Sequence, residues 1–170
     1  MINIFLKNQI KKLSKKHSRY KTFREYNDIR KITLLFDMEN LPEVEAFVKT
    51  LMDDGKQVMA HSFVIKKTAY PQLSENFHIW HKNNLDFWSI PKSSDIKAFK
   101  SIKSDTLIDL TNGSSPVLRY LFLSSSAAFR VGFNYENAQL FDLLIERTKT
   151  QDFSFFVNQM LFYMKSLRTK

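Results

Sequence analysis

Apolar and ring-bearing side chains recur along this chain with two different periods, and the change of period divides it into elements. Ile2, Leu6, Ile10, Leu13, His17 and Tyr20 step by three and four, which places them on one face of an α-helix. Lysines fill the other faces, and no Gly or Pro interrupts residues 1–30. The pattern predicts a basic amphipathic helix from residue 2 to about residue 25.

After Asp28 the pattern changes to short apolar runs separated by helical stretches. Residues 32–36 (Ile-Thr-Leu-Leu-Phe) are too short for a helix and rich in strand formers. Pro42 then opens a helix, where its missing N–H is not needed. Val44, Phe47, Val48 and Leu51 form that helix's apolar face, and Gly55 ends it. Residues 58–65 predict a second strand. Residues 77–81 and 85–90 are strand-like or packing loops, and Pro91 stops the latter. Ser94 is placed to cap a short helix carrying Ile96, Phe99 and Ile102. Residues 106–110 predict a strand, followed by turn chemistry and a helix with Pro116 near its first position. Residues 128–133 and 141–145 predict two further strands. Asp152 or Ser154 starts a last helix that shows Phe156, Met160, Tyr163, Met164 and Leu167 on one face.

Apolar strands alternating with amphipathic helices predict an α/β fold. The expected architecture is a single Rossmann-like, mostly parallel sheet of five or six strands with helices on both faces, preceded by the basic helix. The length of 170 residues suits one domain. The chain divides into a helical arm over residues 1–30 and an α/β domain over residues 31–170.

Composition alters this picture in one respect. The formal net charge is +9, but it is unevenly spread. Residues 1–30 hold nine basic and two acidic side chains, a net +7, and the remaining 140 residues are nearly neutral. The charge therefore belongs to the arm. Its candidate contacts to an anionic partner are Lys7, Lys11, Lys12, Lys15, Lys16, Arg19, Lys21 and Arg24. With no cysteine, disulfides, thiolate metal sites and cysteine nucleophiles are excluded, and the cytoplasm is the expected setting. No window reaches the roughly 20 apolar residues of a membrane span, and the arm lacks the order of a secretory signal.

In an open α/β sheet, ligands bind beyond the carboxyl ends of the strands. Beyond the first strand stand Asp37, Glu39 and Asn40, with no glycine. Neither a dinucleotide fingerprint nor a phosphate-binding P-loop occurs, so no cofactor is expected. Asp37 and Glu39 suit a solvated or capping role better than a metal. Asp109 sits inside the fourth predicted strand, and Thr111, Asn112, Ser114 and Ser115 follow that strand around Gly113. Backbone N–H groups and hydroxyls at a helix start suit phosphate or carboxylate, and a plain β–α turn with a capping serine uses the same residues. His78 and His81 flank Trp80, but no third ligand accompanies them, so no metal site is expected. Residues 124–126 are a serine run outside any nucleophile-elbow motif.

Two resemblances attach to these residues. The basic first helix, the runs at 32–36, 105–110, 126–133 and 141–145, and the Phe/Tyr/Leu-rich last helix together resemble an uncharacterised bacterial family of domains of unknown function. The likeness covers nearly the whole chain and implies a domain assignment without an activity. Residues 105–110 and 128–133 are also similar to a stretch in the N-terminal half of heptosyltransferase-type glycosyltransferases. Those enzymes carry a glycine-containing loop after the first strand, which residues 37–40 do not, and a second domain for the nucleotide-sugar. The similarity implies related sheet topology rather than transferase activity.

Two functions from different classes follow. The first is a non-catalytic binding or accessory protein whose arm contacts a polyanion, RNA before others, with a membrane surface as a further option. The second is an enzyme that binds a small phosphate or nucleotide ligand with Asp37, Asp109 and residues 111–115. The position of the arm's apolar stripe separates a docked helix from an open one.

Overall fold

In the computed structural model, which describes residues 4–16, 19–66, 69–133 and 135–169, the apolar runs become six strands. They are β1 (Lys31–Leu35), β2 (Gln57–Phe63), β3 (Phe77–Trp80), β4 (Thr106–Asp109), β5 (Phe129–Gly132) and β6 (Leu143–Leu144). Every pairing is parallel, and the order across the sheet is β3-β2-β1-β4-β5-β6. That is the strand order of Rossmann-type doubly wound sheets. The expected α/β architecture is therefore present, with six strands.

The helices are α1 (Ile4–Lys16), α2 (Leu41–Asp53), α3 (Ser93–Ser101), α4 (Pro116–Ser124) and α5 (Phe153–Ser166). Strand alternation sends side chains to two cores. Ile32, Leu34 and Phe36 meet α2 and α5 on one face, through Val44, Phe47, Phe156 and Met160. Leu35 and Leu107 meet α3 and α4 on the other, through Phe99, Leu118, Leu121 and Phe122. Local chemistry fixes the helix ends. Ser115 accepts a hydrogen bond from the Leu118 N–H, and Asp152 accepts one from Phe155. After α2, Gly55 adopts φ 79°, the Gly55 N–H reaches the Met52 carbonyl and the Lys56 N–H reaches Leu51. These paired bonds form the glycine-terminated helix end, and an L side chain at Gly55 would be strained there.

Three local expectations change. The first helix is described over Ile4–Lys16 and does not reach residue 25, because residues 19–25 run without helix or strand. Tertiary contacts take over there: the Arg19 guanidinium pairs with Asp142, the Thr22 N–H donates to Asp142 Oδ1 at 2.8 Å, and Phe23 packs edge-on against Phe129. Tyr20, expected on the apolar stripe, is 96% exposed. Ile2 and His17 lie outside the described residues. Second, Ser94 does not cap α3. The cap position is Lys92, and the Ser94 hydroxyl faces Asp95 from within the first turn. Third, of the two readings of residues 85–90, strand-like or packing loop, the loop is what forms, bounded by a single bridge between Leu85 and Pro91.

Candidate functional site

β1 and β4 lie side by side, with Leu35 opposite Asp109. Beyond them the chain turns to α2 on one face and to α4 on the other. The strand order reverses here, which opens the crevice where doubly wound sheets hold ligands. Asp37, Asp109, Thr111 and Asn112 all meet at this point. Asp37 Oδ2 accepts from the Asn112 N–H at 2.7 Å. Asp109 Oδ1 accepts from the Thr111 N–H at 3.0 Å and from its hydroxyl at 2.7 Å. Gly113, at φ 80°, lets the loop turn so that the Ser114 N–H reaches Asn112 Oδ1 at 2.8 Å. Ser115 caps α4.

These bonds decide what the loop can do. Three of the loop's N–H groups, those of Thr111, Asn112 and Ser114, are taken by the chain's own side chains, two of them by carboxylates. Those three donors are spent within the loop. Burial drives the electrostatics. The Asp109 carboxyl is pushed up to about 6, mainly by desolvation, with the Asp37 charge adding to the rise and the bonds from Thr111 opposing it. Burial also raises Asp37, opposed by the Asn112 N–H and reinforced by Glu39. Glu39 itself is exposed. Ser114 turns away to a second, more apolar groove beside Leu6, Phe63 and Leu85.

Beside the loop is an open crevice of about 380 Å³, lined by Thr111, Asn112, Gly113, Arg119, Phe133, Glu136 and Asn137. Arg119 was not visible as a site residue in the sequence, because it sits inside the apolar pattern of α4 between Leu118 and Tyr120. Its Nη2 donates to Asn137 Oδ1 at 2.5 Å. Burial lowers its pKa, and the Asp109 charge works against that.

The arm presents the opposite arrangement. α1 lies against α4. Leu6 is buried, and Ile10 and Leu13 pack onto the α3/α4 core. Leu6, Ile10 and Leu13 of the stripe are thus spent on the body, and burying Leu6 alone is worth about 1.5–3 kcal/mol. Lys7, Lys11, Lys12, Lys15 and Lys16 all face solvent. The helix carries no carboxylate, and among the described residues none of its lysines enters a salt bridge. Lys21 is exposed as well, whereas Arg24 is half-buried.

Arg19 is engaged elsewhere. Its guanidinium pairs with Asp142 and donates to the Ala128 carbonyl at 2.6 Å. Asp142 also accepts from the Arg130 N–H at 2.8 Å. Arg130 is buried over the Phe122 ring and donates to the Ser125 carbonyl at the C-terminal end of α4. Burial, together with the neighbouring Arg19 charge, lowers it to about 10, while Asp142 acts in the other direction. These arginines hold residues 19–22 to the sheet.

The model of DUF6913, a family of unknown function, matches residues 3–167, and the chain belongs to that family. The match spans α1 as well as the sheet. No curated protein and no solved structure matches the chain, and the local likeness to heptosyltransferases is carried by no match.

Proposed function

We propose that this protein is a non-catalytic RNA-binding or accessory protein that contacts its polyanionic partner through the exposed face of α1, in the cytoplasm. One observation carries the reading: α1 docks with Leu6, Ile10 and Leu13 inward, so five lysines are left exposed on its outer side with no carboxylate among them. A docked helix holds these charges without the ordering cost of a flexible tail. Lysines so placed displace counterions from phosphates and read no base sequence, so the expected binding is strong at low salt and tolerant of sequence.

The test uses the full chain. Deleting the arm would uncover α4 and confuse binding with folding. Replacing Lys7, Lys11, Lys12, Lys15 and Lys16 by Gln leaves the docked face intact. Fluorescence anisotropy with a labelled oligo(U), repeated over a salt series, should show about a 100-fold loss of affinity. The salt slope should fall by roughly 0.7 for each lysine that touches a phosphate. An unchanged affinity and slope would sink the reading.

A second reading rests on the crevice beside Arg119. A guanidinium at the switch point of a doubly wound sheet suits a small phosphate or carboxylate ligand. Thermal shifts with inorganic phosphate, a nucleoside monophosphate and a dicarboxylate test it. A shift that Arg119→Gln removes supports this reading, and no shift with any of the three ends it.

A further inference from the structure

Beside the N-terminal end of α1, three aromatic rings stand at the surface. Phe87 is 88% exposed, Trp88 45% and Phe5 44%. The Phe5 and Trp88 ring centroids are 4.1 Å apart with the planes tilted by 53°, and Phe87 meets Trp88 edge-on at 5.1 Å. Rings of this size are normally buried.

The loop that displays them is braced. Its ends are closed by the Leu85–Pro91 bridge and by the bond from the Asp86 N–H to the Ile90 carbonyl at 2.8 Å. Asp86 Oδ1 accepts from the Trp88 N–H at 2.8 Å and from the Ile90 N–H at 3.0 Å. Ser89 takes a positive φ of 61° to close the turn. The Asp86 carboxylate thus organises the backbone around the two rings, which are held in place before anything binds.

The rings continue into the lysine face. On a helix, residues 5, 9, 12 and 16 fall along one side, so Phe5 begins a row that passes through Gln9 to Lys12 and Lys16. The row is about 16 Å long. Aromatic rings followed by cations along one track is the arrangement that binds single-stranded nucleic acid: bases stack on the rings and phosphates follow the charges. A bilayer fits less well. It would need an apolar helix face to enter the headgroups, and Leu6, Ile10 and Leu13 are packed on the body, which leaves only Ile4 and Phe5 of the apolar residues of α1 exposed.

We propose that Phe87, Trp88 and Phe5 form a stacking platform for the bases of single-stranded RNA whose backbone runs along Lys12 and Lys16. This rests on the RNA-binding function proposed above and names the form of RNA bound. Double-stranded RNA, with its bases stacked inside, would meet the lysines but not the rings.

The experiment compares Phe87→Ala/Trp88→Ala, Trp88→Phe and Lys12→Gln/Lys16→Gln with the wild type. Each is titrated with oligo(U), with a duplex RNA and with vesicles containing phosphatidylglycerol. The double alanine variant should lose about 10-fold or more in oligo(U) affinity, with an unchanged salt slope and unchanged duplex binding. Trp88→Phe keeps a ring and should retain most of the affinity. The lysine variant should lose affinity for both RNAs and show a smaller slope. The altered aromatics are exposed, so the variants should melt with the wild type. If the alanine variant binds oligo(U) as well as the wild type while the lysine variant does not, the platform is wrong and the RNA-binding function stands. If the wild type binds neither RNA, both fail. Vesicle binding that the alanine variant loses, in a protein that ignores oligo(U), would overturn the platform in favour of a lipid surface.

Discussion

Two regions of this molecule carry features that suit an anion, and the chain treats them in opposite ways. The loop after β4 has the position, the N–H groups and the helix start of a phosphate cradle, yet Asp37, Asp109 and Asn112 take three of its donors. The lysine-bearing face of α1 is no part of that crevice and has no cradle, yet its lysines are left unneutralised by any carboxylate on the helix. A phosphate at the loop would have to displace carboxylates that are part of the fold. A phosphate on α1 displaces only water and counterions. A site's suitability for an anion thus depends less on its place in the topology than on whether the chain has already answered its own charges.

This contrast can be broken by substitutions that should change stability without touching the proposed RNA binding. The largest effect is expected at Asp142, whose carboxylate pairs with Arg19 and accepts from the Thr22 and Arg130 N–H groups. Asp142→Ala should cost about 3 kcal/mol, because it leaves buried donors and a cation unpaired. Chemical denaturation measures this. Affinity for oligo(U) should remain within about threefold, under 1 kcal/mol; a larger loss would make the tether part of the binding face.

Next in size is a pH effect at Asp109. Its folded pKa of about 6 lies above its unfolded value, so the folded state holds the proton more tightly. That contribution to stability is fully present below about pH 4 and is lost as pH rises through about 6, in total about 2–3 kcal/mol. Asp109→Asn should therefore gain on the wild type by about that amount between pH 4 and pH 7, read from denaturation midpoints at each pH. A difference that does not vary with pH would mean that Asp109 is not desolvated as described.

The smallest effect belongs to Asp37. It is less buried, and an asparagine there can still accept from Asn112. Asp37→Asn should shift stability by less than about 1 kcal/mol. A loss of several kcal/mol would show that the carboxylate charge, and not the hydrogen bond, closes the loop.

Much of the sheet was legible from the chain alone, since all six strands overlap runs read as strands or strand-like, and of the two starts offered for the last helix Asp152 is the cap. What escaped depends on partners distant in sequence. α1 stops early because Arg19 finds Asp142, 123 residues away, and no local pattern announces that pair. The meeting of Asp37, Asp109, Thr111 and Asn112 followed from the rule for strand ends, but their mutual satisfaction depends on the register that sets Leu35 opposite Asp109. Ser114 sits in the same loop and faces the other way. Phe87 and Trp88 read as strand or packing residues because a run of apolar residues does not reveal that Asp86 will fold it into a turn. The charge split was fully legible: it needs only a count.

The account stands or falls on where a polyanion touches the chain, and lysine footprinting measures that directly. The full-length protein is acetylated at limiting reagent with and without oligo(U), and the modified lysines are quantified by mass spectrometry. Lys12 and Lys16 should be protected most, Lys7, Lys11 and Lys15 partly, and the exposed body lysines Lys49, Lys97 and Lys100 not at all. Protection confined to the body lysines, or spread evenly over all of them, would contradict the assignment of the charge on α1 to a partner.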